Sequence, residues 1–390
     1  MTRVYLDNAA TTPLSSAAAN AMAAYMRPGV EAPFGNANSL YSVGREAFRA
    51  LEDARARTAR ALGARPDEIV FTSGATEADN AALIGCAIAA RERRRARGNH
   101  GVCRVLTSRI EHDAVLSCDR MLAQLGFEVD RVGNDRDGRI DPEAFSAALT
   151  PDTVLASVMA ANNEVGTVQP VAELARRAHA AGALFHTDAV QALGKIEADV
   201  RAWGVDAASF SAHKVGGPKG VGVLYLRAGT PFFPYAAGGG QEGGLRSGTQ
   251  NVCGIVGAAA AIEAAVEGRA SFRLRAGAMR DRLYAELSSV RGVVPSVAVE
   301  AGATGFLPNI VNVCVRGFES QTLILQLDAR GICVSGGSAC SSGSLDPSHV
   351  LTALGVERNL AQGSVRVSLG FDTSESDVDA FLRAFREVVA

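Results

Sequence analysis

The sequence predicts an α/β fold with a largely parallel sheet, followed by a second, smaller α+β unit. Three observations carry this reading. Strand-like apolar runs alternate with helix-length Ala- and Leu-rich amphipathic stretches as far as Leu226, and the texture changes after Gly254. The chain's 390 residues, 47% of them hydrophobic, amount to roughly two or three structural units with a sizeable core.

The strand-like runs are Glu68–Thr72, Arg104–Thr107, Thr153–Met159, Ala183–His186, Ala207–Ser211 and Val221–Leu226. Each has strand length, and their alternation with helix-length segments reads as α/β with a largely parallel sheet. After Gly254 a long helical stretch, about Ile255 to Ser289, precedes short strands such as Asn309–Val315 and Ser364–Ser368 interleaved with helices. Pro231–Gly244 and Gly336–Pro347 are polar, long and dense in small residues, which marks functional loops rather than linkers.

A formal net charge of −2 creates no field to recruit nucleic acid or a membrane, and the basic run Arg91 to Arg97 reads as a solvated helix end. No apolar run approaches the ~20 residues of a bilayer span, and the N-terminus lacks the apolar stretch of a signal peptide, so the expected location is cytoplasmic. The seven cysteines form no C-x-x-C pair and the six histidines no H-E-x-x-H, which indicates neither a disulfide framework nor a metal site. Of 39 basic residues only Lys195, Lys214 and Lys219 are lysines. A lysine kept in so arginine-rich a chain is a candidate for a site that needs an amine able to lose its proton, which guanidinium cannot do. Lys195 and Lys219 read equally well as ordinary loop residues.

Three segments carry chemistry. In Phe71-Thr72-Ser73-Gly74-Ala75-Thr76-Glu77 a strand ends in a small-residue turn and a helix begins, which is either a phosphate cradle or a plain N-cap. In Phe185-His186-Thr187-Asp188-Ala189-Val190-Gln191, Asp188 ends a strand where ligands meet an open α/β sheet. It could keep a pyridine nitrogen protonated, with Gln191 on the ring hydroxyl, or be a turn residue. In Ser209-Phe210-Ser211-Ala212-His213-Lys214 a strand runs into a polar turn ending in a lysine, as an aldehyde cofactor requires.

These segments, with Tyr5–Thr12, Glu111-His112, Ala160–Gly166, Arg246-Ser247-Gly248-Thr249, Gly337-Ser338-Ala339-Cys340 and Ser364–Ser368 in the same order, resemble the class V aminotransferase-like enzymes that use pyridoxal 5′-phosphate. Within them the chain is most similar to cysteine desulfurases of the iron–sulfur assembly type. The resemblance implies a type I PLP-dependent transferase fold: a large domain with a mixed, mostly parallel sheet at 16–255, and a small domain from 1–15 and 256–390. It further implies that Lys214 holds the cofactor as a Schiff base, Asp188 pairs with the pyridine nitrogen, and His112 stacks on the ring and shuttles protons. Asn163 and Gln191 would adjoin the ring hydroxyl, with Asn163 also near the substrate carboxylate. Gly74, Ala75, Thr76, Ser211 and His213 would hold the phosphate, Thr249 would reach the phosphate of the partner subunit in a homodimer, and Arg366 would fork onto the substrate carboxylate.

Cys340 decides the expected reaction. It lies in the small-residue run Ser335–Ser344, where a thiol should ride on a mobile, exposed loop, whereas Cys314 in Ile310–Val315 fits a buried structural residue. The expected activity is removal of sulfur from L-cysteine, giving L-alanine and a persulfide on Cys340 for an acceptor or iron–sulfur scaffold protein, in cluster assembly or tRNA thiolation. A selenocysteine lyase and a class V aminotransferase are the rival readings. Tyr41, Ala37 and Gly243 depart from the residues usual in relatives, histidine, proline and arginine, and lie in loops that shape the site mouth, the dimer contact or the acceptor surface.

Overall fold

The computed structural model describes residues 3–337 and 346–390. A short first strand, β1 (Val4–Tyr5), precedes the principal sheet. That sheet is built from β2 (Ile69–Thr72), β3 (Cys103–Ser108), β4 (Phe127–Val132), β5 (Thr153–Ser157), β6 (Leu184–Asp188), β7 (Ala207–Ser211) and β8 (Gly222–Leu226). Its spatial order is β2-β8-β7-β6-β5-β3-β4; β8 runs antiparallel to both neighbours and the remaining pairs are parallel, as a mixed, mostly parallel sheet requires. The central strands β5 and β7 are buried along their whole length, because crossover helices cover both faces.

Strand β4 is absent from the runs read off the sequence. Its sequence, Phe-Glu-Val-Asp-Arg-Val, carries charge on an edge strand, and Glu128 and Asp130 pair with Arg104 of the neighbouring β3. Charged edge strands resist further pairing and lose the apolar signature that would reveal them.

The expected long helix from Ile255 to Ser289 is two helices, Val252–Glu267 and Arg269–Ser288, broken at Gly268. The first is rich in Ala and Gly, and this lets it lie close to its neighbours: a Cβ at Gly257 would fall 2.5 Å from Met22 of the helix Ser16–Ala23. Its Ile255, Ala258, Ala259, Ile262 and Ala265 belong to the same apolar core as Leu51 and Leu62 of the helix Ser42–Leu62 and Phe185 and Phe210 of the sheet. The second helix instead joins a separate core, with Phe272, Leu283 and Leu287 packed against Leu323, Phe381 and Phe385. We therefore propose a domain boundary at Gly268 in place of 255/256; Val4 and Leu6, in the second core, keep the N-terminal segment with the small domain.

The small domain holds β9 (Val293–Pro295), β10 (Ile310–Val315) and β12 (Ser364–Ser368) as an antiparallel sheet in the order β12-β10-β9, while β11 (Ile332–Cys333) pairs in parallel with β1. Among the described residues no helix is long and apolar enough to cross a membrane.

Candidate active site

Four strand ends meet at one edge of the principal sheet. β2 stops at Thr72, β6 at Asp188 and β7 at Ser211, and β8 starts at Gly222, whose register partners are Thr72 and Ser211. Only glycine fits there, since a Cβ at Gly222 would sit 2.4 Å from the Gly74 carbonyl carbon. The turns beyond these ends bound a cavity of about 450 Å³. It is lined by Gly74, Ala75, Thr76, His112, Asn163, Asp188, Gln191, Ser211, His213, Lys214 and Arg366, so the structure gathers nearly all of the sequence-derived site. Cys340 lies outside the described residues. Thr249 is exposed and does not line the cavity.

The helix Ala75–Ala96 points its N-terminus at this cavity, and a Cβ added at Gly74 would meet no heavy atom within 4 Å. Glu77 accepts the Ser73 N–H at 2.7 Å and pairs with Arg246, which, despite burial, draws its carboxyl down to about 2. The adjoining loop is clasped to β2 by Glu242, whose buried carboxylate takes Arg55 at 2.7 and 2.8 Å and the Phe71 N–H at 2.9 Å. Glu242 itself has a positive φ of 51°, and Gly243 beside it, at φ 64°, is a position where glycine is favoured over any residue with a side chain. Tyr41 is exposed just ahead of the helix Ser42–Leu62.

Asp188 is buried at the end of β6 and accepts the Val190 N–H at 2.9 Å. Burial raises its carboxyl, while His112 and Lys214 pull it down. Asp79, which also lines the cavity, projects from the helix Ala75–Ala96; its Oδ1 lies 3.6 Å from His186 Nε2 and has no hydrogen-bond partner among the described residues, and burial together with the charge of Asp188 pushes its carboxyl well above the usual carboxylate range. Of the two acids, the neighbours favour charge on Asp188. His186 lies between Ser157 and Ser209, at 2.8 and 3.0 Å, and burial holds it neutral with a pKa of about 3. The His112 Nδ1 accepts the Ala114 N–H at 3.0 Å, which leaves Nε2 as the nitrogen that carries a proton.

Lys214 donates to the carbonyls of Ala9 and Ala10, both at 2.7 Å, so the N-terminal segment packs directly on the lysine turn. His213, 3.1 Å from Thr11 Oγ1, is depressed to about 4, by burial first and then by the charges of Lys214, Lys219 and Lys195. Arg366, 1% exposed, stands in β12; it donates to Asp7 Oδ1 and to the Asn163 carbonyl, each at 2.9 Å, and its Nε has no hydrogen-bond partner among the described residues. Sequence reasoning missed Asp79 and Asp7. Asp79 follows Thr76 by three residues on one helix face, a readable signal; nothing local marks Asp7 as the partner of an arginine 359 residues away.

Residues 4–381 match the family model Aminotransferase class-V, and the chain belongs to that family, whose members here are pyridoxal phosphate enzymes. It is 43% identical over 386 residues to the cysteine desulfurase IscS of Dictyoglomus turgidum, covering 99% of this chain and 94% of that one. It is 41% identical over 391 residues to the cysteine desulfurase NifS of Azotobacter vinelandii, covering 100% and 93%. The solved structure of a NifS-like protein superposes with a TM-score of 0.89 at 40% identity, covering 99% of both chains. Sequence and fold together put the chain with the cysteine desulfurases.

The cavity fits pyridoxal phosphate. The open helix N-terminus at Gly74, with Ser211 and a neutral His213 beside it, suits a phosphate. A buried carboxylate and a lysine amine on the same cavity suit a pyridine ring bearing an aldehyde.

Proposed function

We propose that this cysteine desulfurase takes L-cysteine to L-alanine and carries the sulfur as a persulfide on Cys340. The observation that supports it is convergence: Lys214, Asp188, His112 and Arg366 reach one cavity from four separate stretches of chain. When bound, the cofactor supplies an aldehyde that condenses with an amine and a ring that accepts electron density from the substrate Cα. Lys214 holds it, Asp188 keeps the ring nitrogen protonated, Gln191 and Asn163 adjoin its hydroxyl, and Gly74, Ala75, Thr76, Ser211 and His213 bind its phosphate.

Arg366 takes the substrate carboxylate. Asp7 and the Asn163 carbonyl hold the guanidinium in place at 2.9 Å each, so the fork is oriented before substrate arrives. Lys214 Nζ removes the Cα proton, and His112 Nε2 moves protons at the ring face. The Cys340 thiolate attacks the substrate sulfur: a sulfur–sulfur bond forms, the Cβ–S bond breaks and its electron pair stays with carbon; one proton then adds at Cβ, and Lys214 Nζ returns to Cα the proton it took, which completes alanine. The persulfide then passes to an acceptor or iron–sulfur scaffold protein.

The enzyme acts as a cytoplasmic homodimer in which Thr249 reaches the partner's phosphate site. The exposed position of Thr249 outside its own cavity supports this, as do the exposed Met26, Val30, Phe34, Leu40 and Tyr41 in one stretch of chain. The decisive experiment is Cys340→Ser: the visible cofactor band and its response to L-cysteine persist, while alanine and sulfide formation fall by about 10³-fold or more. Undiminished desulfuration would remove Cys340 from the mechanism, and parallel assays with selenocysteine separate a lyase from a desulfurase.

A further inference from the structure

Of the two lysines the proposed reaction does not use, Lys219 is exposed and Lys195 is buried at 2% exposure. Among the described residues the Lys195 amine has no carboxylate partner, an expensive arrangement for a cation unless its position has a use. Among the described residues its one hydrogen bond runs from Nζ to Gln191 Oε1, at 3.1 Å. The two residues sit one turn apart in the tight turn after β6, where the N–H groups of Lys195 and Ile196 both donate to the Ala192 carbonyl.

Gln191 in turn donates from Nε2 to the Ala9 carbonyl at 3.0 Å. A side-chain amide has one oxygen and two N–H groups. With the oxygen turned to Lys195 and one N–H given to Ala9, the second N–H is the donor left for the cavity that Gln191 lines. A flipped amide would set its NH₂ against the Lys195 ammonium and its oxygen against the Ala9 carbonyl, two repulsive contacts in place of two hydrogen bonds.

We propose that Lys195 is a positioning residue, fixing the Gln191 amide so that it offers a donor, not an acceptor, to the ring hydroxyl oxygen of the cofactor. The proposal rests on the reading that Gln191 adjoins that oxygen. The donor stabilises the oxygen in its anionic form. Burial, and then the charge of Lys214, draw the Lys195 amine down to about 7; the Ala9 carbonyl opposes the flip in either protonation state.

The test uses purified holoenzyme carrying Lys195→Met, Gln191→Leu or both, with the pH midpoint of the visible cofactor band read in the absence of substrate. The affinity of each apoprotein for pyridoxal phosphate is measured alongside. Each single variant should raise the midpoint by about 0.5 pH unit and weaken cofactor binding by about 3-fold, the size of one ordinary net hydrogen bond. In the double variant Lys195→Met should add nothing to Gln191→Leu. If Gln191→Leu leaves the band unmoved, the reading of Gln191 falls and the proposal with it. If Gln191→Leu shifts the band and Lys195→Met does not, the proposal alone is overturned. A Lys195→Met shift that persists at full size in the Gln191→Leu background also overturns it, because Lys195 would then act by its charge alone. Should Lys195→Met not accumulate as folded protein, Lys195→Leu is read against the same outcomes.

Discussion

On the principal-sheet side of the cavity, Asp188, Ser211 and Lys214 stand at, or just past, the carboxyl ends of adjacent strands, and short turns supply the rest. On the small-domain side Arg366 stands in mid-strand, held by a carbonyl 203 residues away and a carboxylate 359 residues away. The first wall is built from local sequence, where a strand, a turn and a helix start put the functional atoms within a few residues of each other. The second exists only once the N-terminal segment, the Asn163 turn and β12 have been brought together. In the proposed reaction the first wall serves the cofactor and the second the substrate.

That division can be broken experimentally. Arg366→Lys keeps the charge but loses the planar fork, and should lower kcat/KM for L-cysteine by about 10- to 100-fold with the visible band unchanged. A lost or shifted band would mean that the small-domain wall also serves the cofactor. Gly222→Ala forces a Cβ against the Gly74 backbone and should weaken pyridoxal phosphate binding by about 10-fold, through an overpacking cost of about 1–3 kcal/mol. The KM for cysteine in the reloaded variant should change little; a change as large as the loss of cofactor affinity would merge the two walls.

The smallest effect on turnover is expected beneath the first wall, at Glu111. Its carboxylate accepts from Ser108 Oγ and the Met159 N–H, its Oε2 has no hydrogen-bond partner among the described residues, and burial raises its pKa to about 8. The folded value lies above the ordinary 4.5, so the protonated form favours the fold. Its contribution to stability is full below about pH 4.5, declines as pH rises and is lost once pH passes about 8. Glu111→Gln keeps the acceptor and the shape, and should flatten this decline, whose steepest slope is about 1.4 kcal/mol per pH unit. Unfolding measured across that window checks it, and parallel slopes for the two proteins would show that Glu111 is charged in the fold.

Legibility followed the same division. Strand β7 matches its expected bounds, Ala207–Ser211, because a fully buried strand of small and apolar residues contrasts sharply with the polar turn after it. Strand β4 escaped notice because its charges are matched across the sheet by Arg104. The packing partners of the helix Val252–Glu267, Met22 among them, are not legible in its sequence, because a run of alanines has no directional pattern.

The sequence by itself determined most of the elements, the order of the motifs and which residue types are able to hold a phosphate, pair with a pyridine nitrogen or carry an aldehyde. Those are properties of residue type and near neighbours along the chain. Only the tertiary structure decided that Asp188 rather than Asp79 is the acid favoured to carry charge, that Asp7 aims Arg366, and that Lys195 grips Gln191 rather than standing in a solvated loop. Each of these depends on burial and on distances across the fold, and both arise when segments remote in sequence exclude water together.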